Sequence, residues 1–105
     1  MKLEHLISTM HKENLLFLDE MNCTEDVLVV NQCESEEVRE PIVCDGKTRR
    51  MISTFERGLS NSRNMLLNHA AGDICIIGDD DLLYLSGYAE KIKSAYLKQI
   101  GRAHV

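Results

Sequence analysis

The stretch Asp73-Ile74-Cys75-Ile76-Ile77-Gly78-Asp79-Asp80-Asp81 decides the fold, because an apolar run rich in isoleucine ends here in three consecutive carboxylates. The apolar residues that follow Gly72 predict a strand buried on both faces, of the kind found inside a parallel sheet. Such a strand delivers its acidic end to the carboxyl edge of the sheet, where open α/β sheets bind ligands. We therefore expect a ligand site at this edge.

The acidic triplet itself, Asp79 to Asp81, is a candidate metal site. Adjacent carboxylates repel one another, and a divalent cation would relieve that repulsion. In an extended backbone Asp79 and Asp81 point to one side of the strand and Asp80 points to the other. Carboxylate oxygens suit Mg²⁺ or Mn²⁺ better than Zn²⁺, and such a metal completes its shell with water and substrate phosphate. The alternative is a solvated turn that caps the next helix.

Length and charge restrict the class of protein. A chain of 105 residues is enough for one small domain. Its formal net charge of -5 argues against nucleic acid or an anionic membrane surface as the main partner, since both need a basic patch. No apolar run approaches the roughly 20 residues that span a bilayer, so we expect no transmembrane segment.

The four cysteines lack the spacing that is typical of zinc sites. Reduced thiols are the default for such a pattern, and they predict a cytoplasmic protein, with the inner face of the membrane as the alternative location.

The remaining chain predicts alternating strands and helices, an order that is typical of α/β folds. We predict an open, mostly parallel, Rossmann-like sheet flanked by helices. The predicted elements are a strand Leu3–Ser8 followed by a loop to His11, a helix Glu13–Met21, a strand Asp26–Gln32, an acidic loop Glu34–Glu40, a helix Gly58–Ala71 capped by Ser60, and a helix Ser86–Ile100. The segment Pro41–Ser53 is predicted as a hairpin of Ile42–Cys44 and Arg50–Ile52 that turns at Asp45-Gly46, or as a return into the sheet.

Three motifs follow one another at a characteristic spacing in the second half of the chain. They are Glu56-Arg57-Gly58-Leu59-Ser60-Asn61-Ser62-Arg63-Asn64, then Ala71-Gly72-Asp73-Ile74, then the acidic triplet. In this order they resemble the nucleotide-sugar-binding half of family-2-type glycosyltransferases with the GT-A fold. The resemblance covers residues 1–99 and corresponds to the first part of such a catalytic domain.

The resemblance implies a metal-dependent transfer of a sugar from a nucleoside-diphosphate sugar to an acceptor, which could be a glycan, a lipid or a protein. The metal, Mn²⁺ or Mg²⁺, would lie on Asp79 and Asp81. Asp81 is the better candidate for direct metal contact and Asp79 for the ribose or the metal's water shell, and Asp80, also assigned to the nucleotide sugar, is the weakest of the three. Arg63 would meet the diphosphate or the base, the alternative being a surface arginine paired with Glu56 or Asp73.

The nucleoside is expected at the ends of the first two strands. Hydrogen-bonding side chains there suit the edge of a base and the ribose hydroxyls, and the resemblance implies Ser8, Thr9, Gln32 and Glu34 for this role. Many relatives carry an acidic residue at the end of the second strand, where this chain has Asn31-Gln32 followed by Glu34. The choice of base therefore stays open.

No residue of this chain corresponds, by the resemblance, to a catalytic base. We therefore expect the chain to be inactive alone. The alternative function is a non-catalytic nucleotide- or metal-binding α/β module. Residues 100–105 are interpreted as a non-native tail, because a back-translation of these six residues is similar to a common sequencing-adapter read.

Overall fold

The computed structural model describes residues 1–103, with side chains described through residue 99. Strands and helices alternate along most of the chain. In order they are β1 Leu3–Met10, α1 Phe17–Glu20, β2 Asp26–Gln32, β3 Glu37–Val38, β4 Ile42–Cys44, β5 Lys47–Thr54, α2 Leu59–His69, β6 Ile74–Asp79 and α3 Tyr88–Ala103.

The strands form one mixed sheet in the order β3-β5-β2-β1-β6, with β4 also paired to β5. Strand β1 pairs in parallel with β2 on one side and with β6 on the other, and β2 pairs in parallel with β5. The short strands β3 and β4 run antiparallel to β5. The predicted α/β class is confirmed. The sheet is mixed, where a mostly parallel, Rossmann-like sheet was predicted, because of these two short strands at one edge.

The predicted hairpin is present. Strand β4 leads into β5 through Asp45 and Gly46, whose φ angles are 51° and 77°. A two-residue hairpin turn of type I′ needs positive φ at both central positions, and Asp followed by Gly is one of the pairs that adopt it readily. Strand β5 is longer than predicted, and its other edge joins β2, so the hairpin is part of the main sheet.

Apolar side chains cover both faces of the sheet. On one face Leu66 of α2 packs on a cluster that includes Leu6, Leu28 and Val30. On the other face Leu18 of α1 packs with alternate residues of the same two strands, such as Ile7. Since neighbouring residues of a strand point to opposite faces, β1 and β2 are buried on both sides.

The strand before the acidic triplet is an edge strand, which corrects the prediction that it is buried on both faces. Ile74 is buried against Tyr88 of α3, whereas Cys75 and Ile77 are exposed. The alternation arises because α3 covers one face of β6, while the α2 core cluster on the other face contains no β6 residue.

Three further boundaries differ from the predictions. Helix α1 is a single turn, Phe17–Glu20, and the residues from His11 to Leu16 form bends and a turn. Strand β1 continues through Met10, where a loop was predicted, because its pairing with β2 extends that far. The acidic loop after β2 contains the short strand β3.

Helix α2 begins differently from the prediction. Gly58, at φ 93°, occupies the N-cap position and Ser60 makes no capping bond. Leu59 is exposed, whereas Leu66 is fully buried, and Met65 and Ala70 pack at the margin of the same cluster. The helix ends at His69, before the predicted Ala71.

Helix α3 packs through its first turns only. Tyr88 and Ala89 are buried, while Ala95 and Gln99 are exposed. Within residues 1–103 no helix is long and apolar enough to cross a membrane. The predicted tail starts inside α3, and residues 104 and 105 lie outside the described part of the chain.

A buried histidine connects α3 to the centre of the sheet. His5 of β1 is fully buried, and its Nε2 lies 2.7 Å from the Tyr88 hydroxyl, which also accepts a hydrogen bond from the Thr24 N–H at 3.0 Å. The Tyr88 proton is then available to donate to Nε2, which requires a neutral imidazole. Burial lowers the pKa of His5 from 6.5 to about 4, against a smaller opposing effect of the Glu25 carboxylate.

A buried carboxylate fixes the loop that leads into β6. Glu4 of β1 is 2% exposed, and it pairs with Arg50 at 2.9 Å and accepts hydrogen bonds from the N–H groups of Ala71 and Gly72. These partners compensate the burial of the charge. Gly72 approaches so closely that a Cβ there would lie 2.6 Å from the Glu4 Cβ and 3.0 Å from the Ile74 carbonyl oxygen.

The burial of His5 predicts a loss of stability at mildly acidic pH. Between pH 6.5 and about 4 the unfolded chain binds a proton at His5 that the folded chain does not, so stability is full above this window and falls with pH through it. We expect the free energy of unfolding, from urea denaturation, to drop by about 2 kcal/mol between pH 7 and pH 5 through this residue. His5→Phe should flatten this dependence and His69→Gln should retain it; equal slopes for all three proteins would contradict the assignment.

The close approach at Gly72 predicts that even a methyl group is destabilising there. Gly72→Ala should lower the free energy of unfolding by about 1–3 kcal/mol, because the new Cβ meets backbone and Cβ atoms that cannot rotate away. The matched control is Ala71→Ser at the exposed neighbouring position. Urea midpoints that coincide for the two variants would show that the loop can move aside.

Candidate functional site

A cleft of about 680 Å³ lies at the carboxyl edge of the parallel strands. It lies at β1 and β6, where the order of the sheet reverses. The chain proceeds from β1 outward to β2 and β5 and then returns to β6 on the other side of β1. Open α/β sheets bind ligands at such a point. The lining residues are Ser8, Thr9, Met10, Gln32, Arg57, Gly58, Leu59, Ser62, Asp79, Asp80 and Asp81.

The acidic triplet forms one wall of the cleft. Asp79 ends β6, and Asp80 and Asp81 form the turn that follows it. Asp80 accepts a hydrogen bond from the Thr9 hydroxyl at 2.5 Å, and its Oδ2 lies 3.8 Å from the Lys12 ammonium. Asp79 and Asp81 are exposed, and neither has a hydrogen bond or ion pair with the side chains described through residue 99. Asp80 is therefore already paired, and the other two carboxylates are open to a ligand.

The loop after β1 is fixed by a buried asparagine. Asn31 of β2 accepts a hydrogen bond from the Lys12 N–H at 2.9 Å and donates one to the Lys12 carbonyl oxygen at 2.8 Å. The Lys12 ammonium also lies 5.1 Å from the centre of the Phe17 ring, within the range of a cation–π contact. The loop therefore holds a positive charge beside Asp80.

Two hydrogen bonds attach the start of α2 to the sheet. The Ser62 hydroxyl donates to the Ser8 hydroxyl at 2.7 Å, and the Gln32 amide nitrogen donates to the Gly58 carbonyl oxygen at 2.8 Å. Ser62 is 1% and Gln32 is 6% exposed, so both are buried at the base of the cleft. The first turn of α2 thus lines the cleft together with the acidic triplet.

Two of the predicted site residues lie outside the cleft. Glu34 is exposed and pairs with Arg57 at 2.7 Å. Arg63 is exposed on α2, and no ion pair joins it to Glu56 or Asp73 within the described side chains. Of the residues predicted for the nucleotide sugar and the metal, the structure brings six together in the cleft: Ser8, Thr9, Gln32, Asp79, Asp80 and Asp81.

Arg57 and Ser62 line the cleft but were not predicted as site residues. Ser62 precedes the buried Leu66 by four residues, and this spacing places the two on one face of a helix, so helical periodicity could have identified Ser62. Arg57 donates to the carbonyl oxygens of Phe55 and Cys33, contacts that join two loops and leave no local sequence signal.

The open carboxylates fit a hard divalent cation in ligand type. Among the described residues no group of three or more His, Cys, Asp or Glu side chains is arranged to hold a metal ion. A cation on Asp79 and Asp81 would therefore need further oxygens from water or from a bound phosphate, as Mg²⁺ commonly does.

Comparisons with protein-family models, with curated proteins and with solved structures give no match for this chain. Its function is therefore inferred from the chemistry of the cleft.

The double hydrogen bond of Asn31 predicts a stability effect. Asn31→Asp keeps the acceptor for the Lys12 N–H but loses the donor to the Lys12 carbonyl oxygen. The substitution also buries a negative charge against that carbonyl oxygen. We expect a loss of about 2 kcal/mol in the free energy of unfolding at pH 7, measured in urea. The exposed Asn64→Asp should change it by less than about 0.5 kcal/mol, and equal losses would argue against the buried contact.

Proposed function

We propose that this chain binds a nucleoside-diphosphate sugar in the cleft, as the donor-binding part of a metal-dependent glycosyltransferase of the cytoplasm. The observation that carries the proposal is the convergence on one cleft of hydroxyl and amide groups from β1 and β2 with the carboxylates at the end of β6. The sequence resemblance to family-2-type glycosyltransferases supports the same assignment.

The topology supports a nucleotide ligand. The longer strands run parallel in the order β5-β2-β1-β6, an order that supports the proposed Rossmann-like arrangement. Neighbouring strands lie about 4.8 Å apart, so the ends of β2 and β6 are separated by roughly 10 Å across β1. A ligand that reaches both ends must be elongated and must carry different groups at its two ends. A nucleoside diphosphate has both properties.

The distribution of polar groups suggests how the ligand lies. The hydroxyls of Ser8 and Ser62 are at the base of the cleft, between Gln32 on one side and the carboxylates on the other. We place the base near Gln32 and the diphosphate between the start of α2 and the acidic triplet, because helix N-termini favour anions. Lys12 adds positive charge beside Asp80.

Asp79 and Asp81 would hold the cation, Mn²⁺ or Mg²⁺. When bound, it supplies positive charge that stabilises the negative charge developing on the leaving diphosphate. Thr9 and Lys12 keep Asp80 turned toward β1, which leaves the flanking carboxylates for the metal.

Calorimetric titration with UDP-sugars and GDP-sugars, in the presence and absence of Mn²⁺, tests the proposal. Binding of a nucleotide sugar that strengthens with Mn²⁺ supports a glycosyltransferase donor site. Cation binding that is indifferent to nucleotide would favour the alternative, a metal-binding module without catalysis. Absence of nucleotide binding under both conditions would overturn the proposal.

Removing one of the two open carboxylates should affect only the metal-dependent part of the affinity. For Asp81→Ala we expect the affinity for the nucleotide sugar in Mn²⁺ to fall about tenfold or more, to the value measured without metal, because the cation loses a charged ligand. Glu90→Ala removes the same charge from the exposed surface of α3 and is the control. Unchanged affinity of the Asp81 variant in Mn²⁺ would contradict the metal assignment.

A further inference from the structure

A second cavity, of about 310 Å³, lies on the face of the sheet that carries α2. Leu28 of β2 and Ile52 of β5 line it from the sheet, and His69, the last residue of α2, lines it from the helix. The segment that joins β3 to β4, residues 39–41, lines it as well. Within the described chain this cavity and the cleft share no lining residue, so the cavity is a separate place for a ligand.

The Nε–H of Arg39 is a buried donor without an acceptor. Its nitrogen is shielded from solvent, and within the described part of the chain no group accepts a hydrogen bond from it. The Glu37 carboxylate lies 3.3 Å from this nitrogen, which is ion-pair distance, but the N–H does not point at it. Most buried polar groups in proteins are paired. Because Arg39 lines the cavity, this donor is available to an acceptor that a ligand carries.

Arg50 offers further donors to the same cavity. Its Nη2 donates to the Glu4 carboxylate at 2.9 Å and to the His69 carbonyl oxygen at 2.8 Å, which uses both hydrogens of that nitrogen. The Nε and Nη1 atoms carry the other N–H groups, and these have no partner among the groups described through residue 99. The two bonds hold the planar guanidinium in one orientation. Arg50 therefore presents fixed donors of the kind that bind a carboxylate.

The charges around the cavity do not favour an anion as such. Arg39 and Arg50 are positive, but Glu37 and Glu4 lie against them. Glu40 adds a third carboxylate to the lining, and it forms no ion pair with the side chains described through residue 99. A multiply charged anion would therefore be repelled by three carboxylates nearby. A ligand that uses the guanidinium donors is favoured if it also brings a positive group to Glu40.

Apolar side chains border these charged groups. Leu28 and Ile52 belong to the core cluster under α2, while Val38 and Pro41 are exposed at the cavity. Since a water molecule occupies about 30 Å³, the cavity of about 310 Å³ has room for a ligand of roughly ten non-hydrogen atoms. Part of such a ligand would contact hydrocarbon, as in most small-molecule sites.

We infer that this cavity binds a free α-amino acid with an apolar side chain. Its carboxylate accepts hydrogen bonds from Arg39 and Arg50, its ammonium group lies beside Glu40, and its side chain packs on Val38 and Pro41. Such a zwitterion has no net charge, and it supplies one group for each kind of lining residue. Leucine, methionine and valine are of a suitable size. The inference is independent of the proposed function, because it concerns a different cavity.

The test is calorimetric titration of the full chain with L-leucine, L-methionine and L-valine. Leucine is then compared with three analogues that each lack one group: 4-methylpentanoate lacks the ammonium, 3-methylbutylamine lacks the carboxylate, and glycine lacks the apolar side chain. We expect leucine to bind, and each analogue to bind about tenfold or more weakly, because each leaves one part of the lining without its partner.

Three results would overturn the inference. The first is that none of the three apolar amino acids binds. The second is equal affinity for leucine and 4-methylpentanoate, which would indicate a simple carboxylate site. The third is equal affinity for leucine and glycine, which would show that the apolar side chains are not used. The nucleotide titrations of the cleft are a separate experiment, so none of these results bears on the proposed function.

Substitutions in the cavity locate the ligand. Arg39→Met removes the unpaired donor and should weaken leucine binding about tenfold or more, whereas Lys91→Met, which removes the same charge from the exposed surface of α3, should not. The Arg39 side chain is 36% exposed and its backbone N–H bond to the Met51 carbonyl oxygen is retained, so we expect this variant to fold. Unchanged leucine affinity in Arg39→Met would overturn the inference.

Glu40→Gln separates the two charged ends of the ligand. It should weaken leucine binding about tenfold and leave the weaker binding of 4-methylpentanoate unchanged or improved, because only leucine carries the ammonium group. Glu90→Gln on α3 is the matched control. A Glu40→Gln protein that binds leucine as the wild type does would overturn the inference. If either cavity variant does not fold, the analogue series on the wild-type protein decides the question.

Discussion

The parallel pairing of β1 on both of its edges is the constraint on which the rest of the structure depends. Its register places Ser8 beside Asp79 of β6 and Met10 beside Gln32 of β2. Because the three strands run in one direction, their carboxyl ends meet at the same edge. The hydroxyl, amide and carboxylate groups of the cleft come together through backbone hydrogen bonds rather than through attraction between their side chains.

Buried polar residues attach the loops to this central strand. Glu4 holds the turn that leads into β6, His5 holds the first turn of α3, and Asn31 of the neighbouring strand holds the loop at Lys12. Each of these side chains is at most 2% exposed. A buried polar group is costly without partners, so alternative loop positions that break these bonds are disfavoured. The walls of the cleft are thereby fixed before any ligand binds, which reduces the entropy lost on binding.

The proposed ligand follows from the contrast between the two ends of the cleft. One end has a neutral amide acceptor with apolar side chains nearby, and the other has carboxylates of which one is already paired with Thr9 and Lys12. A small symmetric anion would use only part of such a site. A nucleoside diphosphate with a cation has a group suited to each end.

Local pattern in the sequence was sufficient for some of this arrangement. The run of β-branched and apolar residues in Asp26–Gln32 is a strand with the predicted bounds, and Asp45-Gly46 makes the predicted hairpin turn. The carboxylates at the end of β6 were also predicted from the apolar run that precedes them. These features depend on neighbouring residues only, through the alternation of side chains, the φ preferences of glycine and the clustering of like charges.

The tertiary structure decided which residues share the cleft. Arg63 was predicted to reach the ligand and is exposed, whereas Arg57 and Ser62 line the cleft, because the start of α2 at Gly58 sets which helix face is turned toward β1. The edge position of β6 likewise depends on strand order, which is a matter of long-range pairing. The sequence alone determined the chemical groups at the strand ends. The strand register and the packing of α2 determined which of these groups lie together in the cleft, because register and packing depend on contacts between residues far apart in the chain.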